Sequence, residues 1–340
     1  MIRLSAMGDV AMTVPVLRAF SKQYPAVKIT MVSKTFFKPF FDGIPNVDFF
    51  PADTKGRHKG LPGILRLFWD LRALGIDAVA DLHNVLRSKI IRRQFAFSGK
   101  KTAHVDKARA EKKALTRPEN KIFKPLKHVT ERHAEVFEKL GFPLDLSHPE
   151  FPAKKEMEQA VLELSGEKSG RWIGIAPFAQ HQSKVYPQDL MQKVVDELTK
   201  NPEYKIFLFG AGQSETDILL QLASNHPNAI VVAGKIPFAQ ELQLIANLDL
   251  MLSMDSGNAH IAAMYGVETI TLWGATHPYA GFAPFRQPME NTVVSDREKY
   301  PLLPTSIYGN IKVGGYENAM RTISPEMVVR KIGEILGKSG

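Results

Sequence analysis

The sequence predicts an α/β protein built from two doubly wound parallel sheets, each covered by helices on both faces. Three observations carry this prediction. Short apolar runs alternate with amphipathic stretches along the chain, a pattern typical of βαβ units. Polar turns that contain glycine follow several of the apolar runs. The chain has 340 residues, more than one core usually supports, so we expect two domains.

The first half contains four apolar runs separated by helical stretches. The helical stretches place apolar residues three and four positions apart, as a helix with one buried face requires. The predicted strands are residues 2–5, 27–33, 47–50 and 77–82, and the predicted helices are residues 10–22, 64–74, 85–97 and 133–140. The stretch before the last helix is predicted to be irregular, because Pro118 and Pro125 interrupt it.

The second half repeats this organisation after a polar stretch with two prolines, residues 145–152, which we interpret as a linker. The predicted strands are residues 171–176, 204–209, 229–233, 248–254 and 267–273. The predicted helices are residues 154–164, 190–198, 216–223, 241–246, 258–265 and 327–336. Two sheets in tandem place ligands at the carboxyl ends of their strands.

Composition excludes several kinds of site. The chain has no cysteine, which excludes disulfides, thiolate catalysis and cysteine-bound metals. No D-x-D tripeptide and no Cys/His cluster occurs, so we expect no metal site and no cofactor. No apolar run reaches about 18 residues, and the first residues lack the apolar region of a signal peptide. We therefore expect a cytoplasmic protein.

The positive charge is concentrated in one segment, residues 87–127. This basic segment holds 14 Lys or Arg and 3 Asp or Glu, whereas the rest of the chain holds 30 and 32. It is either a solvated loop or a surface for an anionic partner such as a lipid headgroup, a phosphorylated glycan or a nucleic acid. Nucleic acid is the weakest of these, because few aromatic residues are interleaved with the charges.

The stretch MDSGNAHIAAMYGVETITLWG, residues 254–274, predicts a phosphate-binding site. An apolar strand ends at the polar turn Asp255-Ser256-Gly257, and a helix begins directly after it. The backbone N–H groups and the dipole at a helix N-terminus favour an anion. Gly257 lets a phosphate approach the backbone closely. Ser256 either donates a hydroxyl hydrogen bond to the phosphate or caps the helix.

A second motif, LSAMGDVAMTVP at residues 4–15, follows the first predicted strand. It lacks the G-x-G-x-x-G pattern of dinucleotide binders. Asp9 is either a helix N-cap or a carboxylate that takes a proton from a substrate. Gly8 would let that substrate approach the backbone.

Three further side chains lie where strands are predicted to end. Lys184 is either a solvated surface lysine or a cation that neutralises a phosphate leaving group. Glu215, after the turn Gly210-Ala211-Gly212, is either a first-turn helix acid or a ribose ligand. His260 lies one helical turn past Ser256 and is either a structural histidine or a donor to phosphate or sugar.

Taken in this order, the motifs resemble those of the ADP-heptose:lipopolysaccharide heptosyltransferases, glycosyltransferase family 9. The likeness is carried by RLSAMGDV with Pro15, by SKVYP at residues 183–187, and by DSG with His260 followed by LWGATHP at residues 272–278. DLHNVLRS, residues 81–88, resembles the acceptor side of the family.

The resemblance implies a GT-B fold, in which two Rossmann-like domains face a central cleft. Residues 1–150 would bind the acceptor, residues 151–325 would bind the nucleotide sugar, and residues 326–340 would form a closing helix that packs back toward the first domain. Asp9 would be the general base and Lys184 the phosphate-contacting lysine. The remaining donor contacts would be Glu215, Ile236 against the adenine, Asp255, Ser256, Gly257 and His260. The acceptor contacts would be Gly8, Asn84, Arg87 and Ser88.

The function implied is inverting, metal-independent transfer of heptose from ADP-heptose to the inner core of lipopolysaccharide. The expected partners are this nucleotide-sugar donor and an anionic glycolipid acceptor, such as phosphorylated lipid A with core sugars, but no nucleic acid. The basic segment would allow peripheral contact with the inner membrane. The residues leave two alternatives: a GT-B transferase or epimerase with a different nucleotide sugar, and a non-catalytic nucleotide-sugar-binding protein.

Overall fold

A computed structural model describes residues 1–338 and divides the chain into two compact units. Unit 1 contains Met1–Ala108 and Lys127–Glu150, and unit 2 contains Arg109–Leu126 and the residues from Phe151 onward. The change at Glu150 falls within the stretch interpreted as a linker. The assignment of acceptor and donor binding to two domains stays a prediction, and residues 339–340 of the closing segment lie outside the described residues.

Unit 1 contains four short parallel strands: β1 (Ile29–Ser33), β2 (Val47–Pro51), β3 (Ala78–Asp81) and β4 (Lys101–His104). β1 pairs with β2, and β3 pairs with β4. Ile2 links the two pairs, because it forms bridges to both Val32 and Asp81. The predicted strand at residues 2–5 is therefore only a bridge, since the chain leaves the sheet to begin a helix at Met7.

The helices of the first 150 residues are α1 (Met7–Ala11), α2 (Val14–Gln23), α3 (Gly60–Arg72), α4 (Leu86–Phe97), α5 (Arg109–Thr116) and α6 (Val129–Leu140). The predicted helix at residues 10–22 is divided into α1 and α2. Pro15 lies in the first turn of α2, where its missing N–H is not needed. The buried faces of α3 and α4 pack with β1 and β3 in one apolar core.

The basic segment is more regular than predicted. It contains most of α4, then β4 and α5, although Pro118 and Pro125 follow α5 as irregular chain. Proline thus interrupts only the end of the segment. Most of the preceding lysines and arginines lie on regular elements, whereas Lys100, Lys107 and Arg117 lie between or after them.

Unit 2 contains six parallel strands: β5 (Arg171–Ala176), β6 (Tyr204–Leu208), β7 (Ala229–Val231), β8 (Leu250–Met254), β9 (Glu268–Trp273) and β10 (Thr292–Val294). Their order across the sheet is β7-β6-β5-β8-β9-β10. Numbered from β5, this is the 3-2-1-4-5-6 order of the Rossmann fold. The predicted parallel, doubly wound sheet is confirmed for this unit.

The helices of unit 2 after its linker are α7 (Gln159–Ser165), α8 (Gln188–Leu198), α9 (Gln213–Ala223), α10 (Phe238–Ala246), α11 (Gly257–Met264) and α12 (Pro325–Lys338). Short 3₁₀ helices lie at Thr35–Phe40, Gln182–Lys184, Pro278–Ala280, Met289–Asn291 and Ala319–Thr322. α7 begins five residues later than predicted. Val328, Ile332 and Ile335 of α12 pack into the core of unit 2.

Candidate functional site

The carboxyl edge of the unit 2 sheet carries the predicted phosphate-binding residues. β5 and β8 are neighbours in the sheet, with Ala176 opposite Ser253. The chain leaves β5 toward one edge of the sheet and leaves β8 toward the opposite one, so this point is where the strand order reverses. Ligands of open α/β sheets bind outside the carboxyl ends of the strands at such a point. Lys184 follows β5, and Asp255 follows β8.

Lys184 is held in place by a carboxylate at this edge. Its Nζ lies 3.3 Å from Asp255 Oδ2, and the two side chains are only 12% and 10% exposed. Thr276 Oγ1 donates a hydrogen bond of 2.8 Å to the same carboxylate oxygen. Lys184 is therefore not a solvated surface lysine.

The backbone around Lys184 is fixed by the loop after β9. Ala275 N donates to Ser183 O over 3.0 Å. A Cβ at Gly274 would overlap the Ser183 carbonyl oxygen, so only glycine allows the two chain segments to approach this closely. Ser183 Oγ also donates to Gly309 O over 2.6 Å. These contacts hold the ammonium at a defined position.

α11 begins at the same edge. In the described part of the chain, its N-cap residue Ser256 makes no side-chain cap; its hydroxyl lies 3.1 Å from Ser253 Oγ. The helix N-terminus retains backbone N–H groups suited to an anion, with Gly257 as the first helical residue. His260 lies one turn later and is buried.

The neighbouring strands β6 and β7 end beside this edge. Glu215 accepts a hydrogen bond of 2.7 Å from Ala211 N, so its carboxylate closes the glycine-containing turn after β6. Ile236 is buried after β7. Glu241, in the first turn of α10, is not among the residues that the sequence motifs predict, yet burial raises its pKa to about 7. The sequence around Glu241 does not indicate that its carboxyl group is buried.

Asp9 lies in unit 1, just after the Ile2 segment leaves the sheet. Its Oδ2 forms an ion pair with Arg3 and accepts a 3.3 Å hydrogen bond from Ala6 N. Arg3 Nη1 also donates to Leu82 O over 2.6 Å. Asp9 is more exposed than Arg3, 28% against 10%. The carboxylate thus closes the first turn of α1 and is also held by a buried cation.

Arg3 is the first residue of the stretch RLSAMGDV, but the sequence alone predicts no role for it. Two histidines near it are kept neutral. Burial, with the positive charge of Arg3, lowers the pKa of His83 to about 4 and that of His133 to about 3. Arg3 is thus the cation that faces Asp9.

The predicted acceptor residues lie around the turn that follows β3. Asn84 N donates to Asp81 Oδ1 over 2.7 Å, and Asn84 Nδ2 donates to Val105 O over 2.9 Å. Ser88 is buried and accepts a hydrogen bond from Val85 N, which fixes the start of α4. Arg87 is half-buried one residue earlier, and Gly8 is buried in α1. Acceptor binding by these residues stays a prediction.

Two lysines of the basic segment make contacts within unit 2. Lys112 Nζ lies 4.1 Å from the centre of the Phe282 ring. Lys121 Nζ donates to the carbonyl oxygens of Leu302 and Pro304. Burial, with the charge of Arg297, lowers the pKa of Lys121 to about 8. These two cations are engaged within the protein, so the segment is not simply a solvated loop.

Two kinds of feature are absent from residues 1–338. No group of three or more potential metal-ligating side chains lies close enough together to hold a metal ion there. None of the helices described is both long and apolar enough to cross a membrane.

Comparison with known proteins identifies the family. Residues 64–306, more than half of the chain, match the model of glycosyltransferase family 9 (heptosyltransferase). Lipopolysaccharide core heptosyltransferase OpsX of Haemophilus influenzae is 24% identical over 286 residues, covering 82% of this chain and 79% of the relative.

Two solved structures share the fold. The family 9 glycosyltransferase of Veillonella parvula aligns with a TM-score of 0.75 at 21% identity, covering 99% of this chain and 96% of the other. The Escherichia coli ADP-heptose lipopolysaccharide heptosyltransferase II aligns with a TM-score of 0.71 at 18% identity, covering 99% and 98%. The predicted GT-B fold class is confirmed. The chain belongs to glycosyltransferase family 9 and is a glycosyltransferase.

Proposed function

We propose that this protein transfers heptose from ADP-heptose to the inner core of lipopolysaccharide, with inversion at the anomeric carbon and without a metal ion. The names of its relatives support the sugar, the nucleotide and the acceptor class. The observation that carries the proposal is the Lys184 ammonium at the edge where α11 begins, paired there with the Asp255 carboxylate that Thr276 holds by a hydrogen bond.

The donor diphosphate would bind at this edge. Its negative charge would be neutralised by Lys184 and by the backbone N–H groups at the start of α11. Ser256 would donate its hydroxyl hydrogen bond to the same group. Glu215 would hold the ribose, Ile236 would contact the adenine, and His260 would bond to phosphate or sugar.

Asp9 would remove the proton from the acceptor hydroxyl. The acceptor oxygen then attacks the anomeric carbon from the face opposite the diphosphate. The bond from that carbon to the phosphate oxygen breaks, and ADP leaves with the bonding electrons. Negative charge grows on the leaving phosphate, where Lys184 is expected to stabilise it most.

Product analysis tests the proposal. The protein is incubated with an acceptor and either ADP-heptose or other ADP- and UDP-sugars, and the products are identified by mass spectrometry and by NMR of the new anomeric centre. Inverted transfer from ADP-heptose alone is expected, at an undiminished rate in EDTA. Isomerisation of the sugar without transfer would favour an epimerase, and donor binding without transfer or hydrolysis would favour a binding protein.

We further propose that the acceptor is an anionic glycolipid and that the protein contacts the inner membrane peripherally through exposed residues of the basic segment. Lys113 and Lys124 are exposed members of this segment. Co-sedimentation with vesicles that contain phosphatidylglycerol should fall as salt is raised, because salt screens the attraction between exposed charges.

A further inference from the structure

Helix α3 in unit 1 carries exposed apolar side chains in addition to its buried apolar face. Its inner face is buried through Ile64, Leu67, Phe68 and Leu71. Its outer face carries Leu61, Leu65 and Trp69, which are 66%, 45% and 58% exposed. These three residues are spaced four apart and form one stripe along the helix. An exposed run of large apolar side chains along a helix marks a surface that binds a partner.

Much of the exposed apolar surface of unit 1 lies in this stripe. Among the described residues, unit 1 has seven large apolar side chains that are exposed: Phe36, Leu61, Leu65, Trp69, Leu74, Leu86 and Phe97. Three of them form the stripe, and Leu74 lies just beyond the end of α3. Single exposed apolar residues need no explanation, but contiguous ones mark interaction sites.

The stripe is presented on a rigid support. His58 is buried before α3, and its Nε2 lies 3.0 Å from Asp70 Oδ2. Asp53 N donates to His58 Nδ1 over 3.0 Å. A Cβ at Gly63 would overlap the backbone of His58, so the preceding loop packs directly against the helix. These contacts fix α3 from its inner side and leave the outer side accessible.

The stripe is flanked along the chain by an excess of positive charge. Residues 55–74 contain five Lys or Arg and one acid, Asp70. That acid is already paired with Arg57 and His58. The hydrogen bonds from Arg57, which has the larger effect, and from His58 lower the pKa of Asp70 to about 2. Lys55, Lys59, Arg66 and Arg72 are exposed, and the Arg72 guanidinium lies 5.0 Å from the centre of the Trp69 ring.

We propose that the outer face of α3 docks on an anionic lipid bilayer. Leucine and tryptophan side chains would enter the boundary between headgroups and acyl chains, while the flanking cations would meet the lipid phosphates. A second copy of the chain fits less well, because a two-fold contact through this stripe would bring two basic rims together. The inference rests on the membrane contact proposed above. It adds the outer face of α3 to that contact, which the basic segment alone was proposed to make.

Tryptophan fluorescence tests this directly, because Trp69 is exposed whereas Trp172 and Trp273 are buried. With vesicles of phosphatidylglycerol and phosphatidylcholine, we expect the emission to shift to shorter wavelength. No shift is expected with phosphatidylcholine alone. An unchanged spectrum with the anionic vesicles would overturn the proposal.

Paired variants identify the surface. The double variant Leu61→Gln/Leu65→Gln keeps Trp69 and should bind anionic vesicles at least about tenfold more weakly, given the transfer free energy of two leucine side chains. Leu220→Gln, an exposed leucine on α9 of unit 2, is the matched control and should bind as the wild type does. Equal binding by the double variant and the wild type would contradict docking through α3.

Further arms separate this inference from the proposed function. If Lys113→Glu/Lys124→Glu abolishes vesicle binding while Leu61→Gln/Leu65→Gln leaves it intact, the basic segment is the contact and α3 is not. A dimer of the wild type that Leu61→Gln/Leu65→Gln dissociates, seen by sedimentation velocity, would assign the stripe to a second copy and overturn the proposal. Transfer to a detergent-solubilised acceptor reports on catalysis alone. If the wild-type protein showed no transfer to this acceptor, the transferase mechanism would be refuted, while the vesicle-binding result would stand.

Discussion

Each unit of the protein holds a partly buried ion pair just beyond a strand segment of its sheet, but the two pairs are exposed differently. In unit 1 the carboxylate of Asp9 is more exposed than the guanidinium of Arg3. In unit 2 the ammonium of Lys184 and the carboxylate of Asp255 are almost equally buried. The difference suggests opposite uses of one arrangement. Arg3 would hold a carboxylate that accepts a proton, whereas Asp255 would hold an ammonium that binds phosphate.

The largest expected effect is that of Asp9→Asn. Removal of a general base typically lowers the rate by about 10²–10⁴-fold, so transfer should nearly disappear while donor binding persists. Asp48→Asn, an exposed aspartate of unit 1, is the control and should be fully active. Turnover by steady-state assay checks this. Transfer at the wild-type rate in Asp9→Asn would leave Asp9 as only a helix cap.

Lys184→Ala should affect both binding and turnover. Loss of one charged donor to a developing anion typically lowers kcat by about 10²–10³-fold. The dissociation constant of the donor should also rise, because the diphosphate is charged in the ground state as well. Lys193→Ala, an exposed lysine on α8, serves as the control. Unchanged kinetics in Lys184→Ala would refute the phosphate-binding role.

Arg3→Gln should have a smaller effect that is confined to turnover. If Arg3 positions Asp9, kcat should fall about tenfold as Asp9 loses its orientation, while the donor dissociation constant should stay the same. Arg3→Lys keeps the charge and should recover part of kcat. A matching fall in donor affinity would contradict a positioning role. So would a fall in kcat that is equally large in Arg3→Gln and Arg3→Lys.

Glu241 provides a contrast with both ion pairs, because burial alone accounts for its raised pKa. Its pKa is about 7 in the folded protein, whereas the ordinary value for a glutamate in an unfolded chain is 4.5. Stability from this group is therefore complete below about pH 4.5 and is lost as the pH rises through about 7.

Glu241→Gln should remove that decline. The free energy of unfolding at pH 8 should rise by at most about 3 kcal/mol, since one pKa unit corresponds to about 1.4 kcal/mol. Urea unfolding of the variant and of wild type between pH 5 and pH 8 checks this, with Glu290→Gln, an exposed acid, as control. Parallel stability profiles for Glu241→Gln and wild type would contradict it.

The sequence patterns predicted regular elements better than tertiary contacts. β5 was predicted with its observed bounds because six consecutive residues fit a buried parallel strand. The first predicted strand is reduced to a bridge at Ile2 because the chain leaves the sheet to begin α1 at Met7. The break between α1 and α2 was missed although Pro15 signals it.

The candidate site shows the same limit. The motifs supplied Asp9, Lys184 and the turn at Ser256. They did not supply Arg3, which pairs with Asp9, or Thr276, which donates to Asp255, although RLSAMGDV contains Arg3 and LWGATHP contains Thr276. An ion pair between Lys184 and Asp255 spans 71 residues of chain, so no local pattern reports it.

Opposite roles for the two ion pairs can be tested most directly by isothermal titration of ADP-heptose into Asp9→Asn and Lys184→Ala, side by side. A charged hydrogen bond contributes about 1.5–3 kcal/mol, so the dissociation constant should rise about 10–100-fold in Lys184→Ala. It should be unchanged in Asp9→Asn. A rise in Asp9→Asn, or none in Lys184→Ala, would contradict the division of roles.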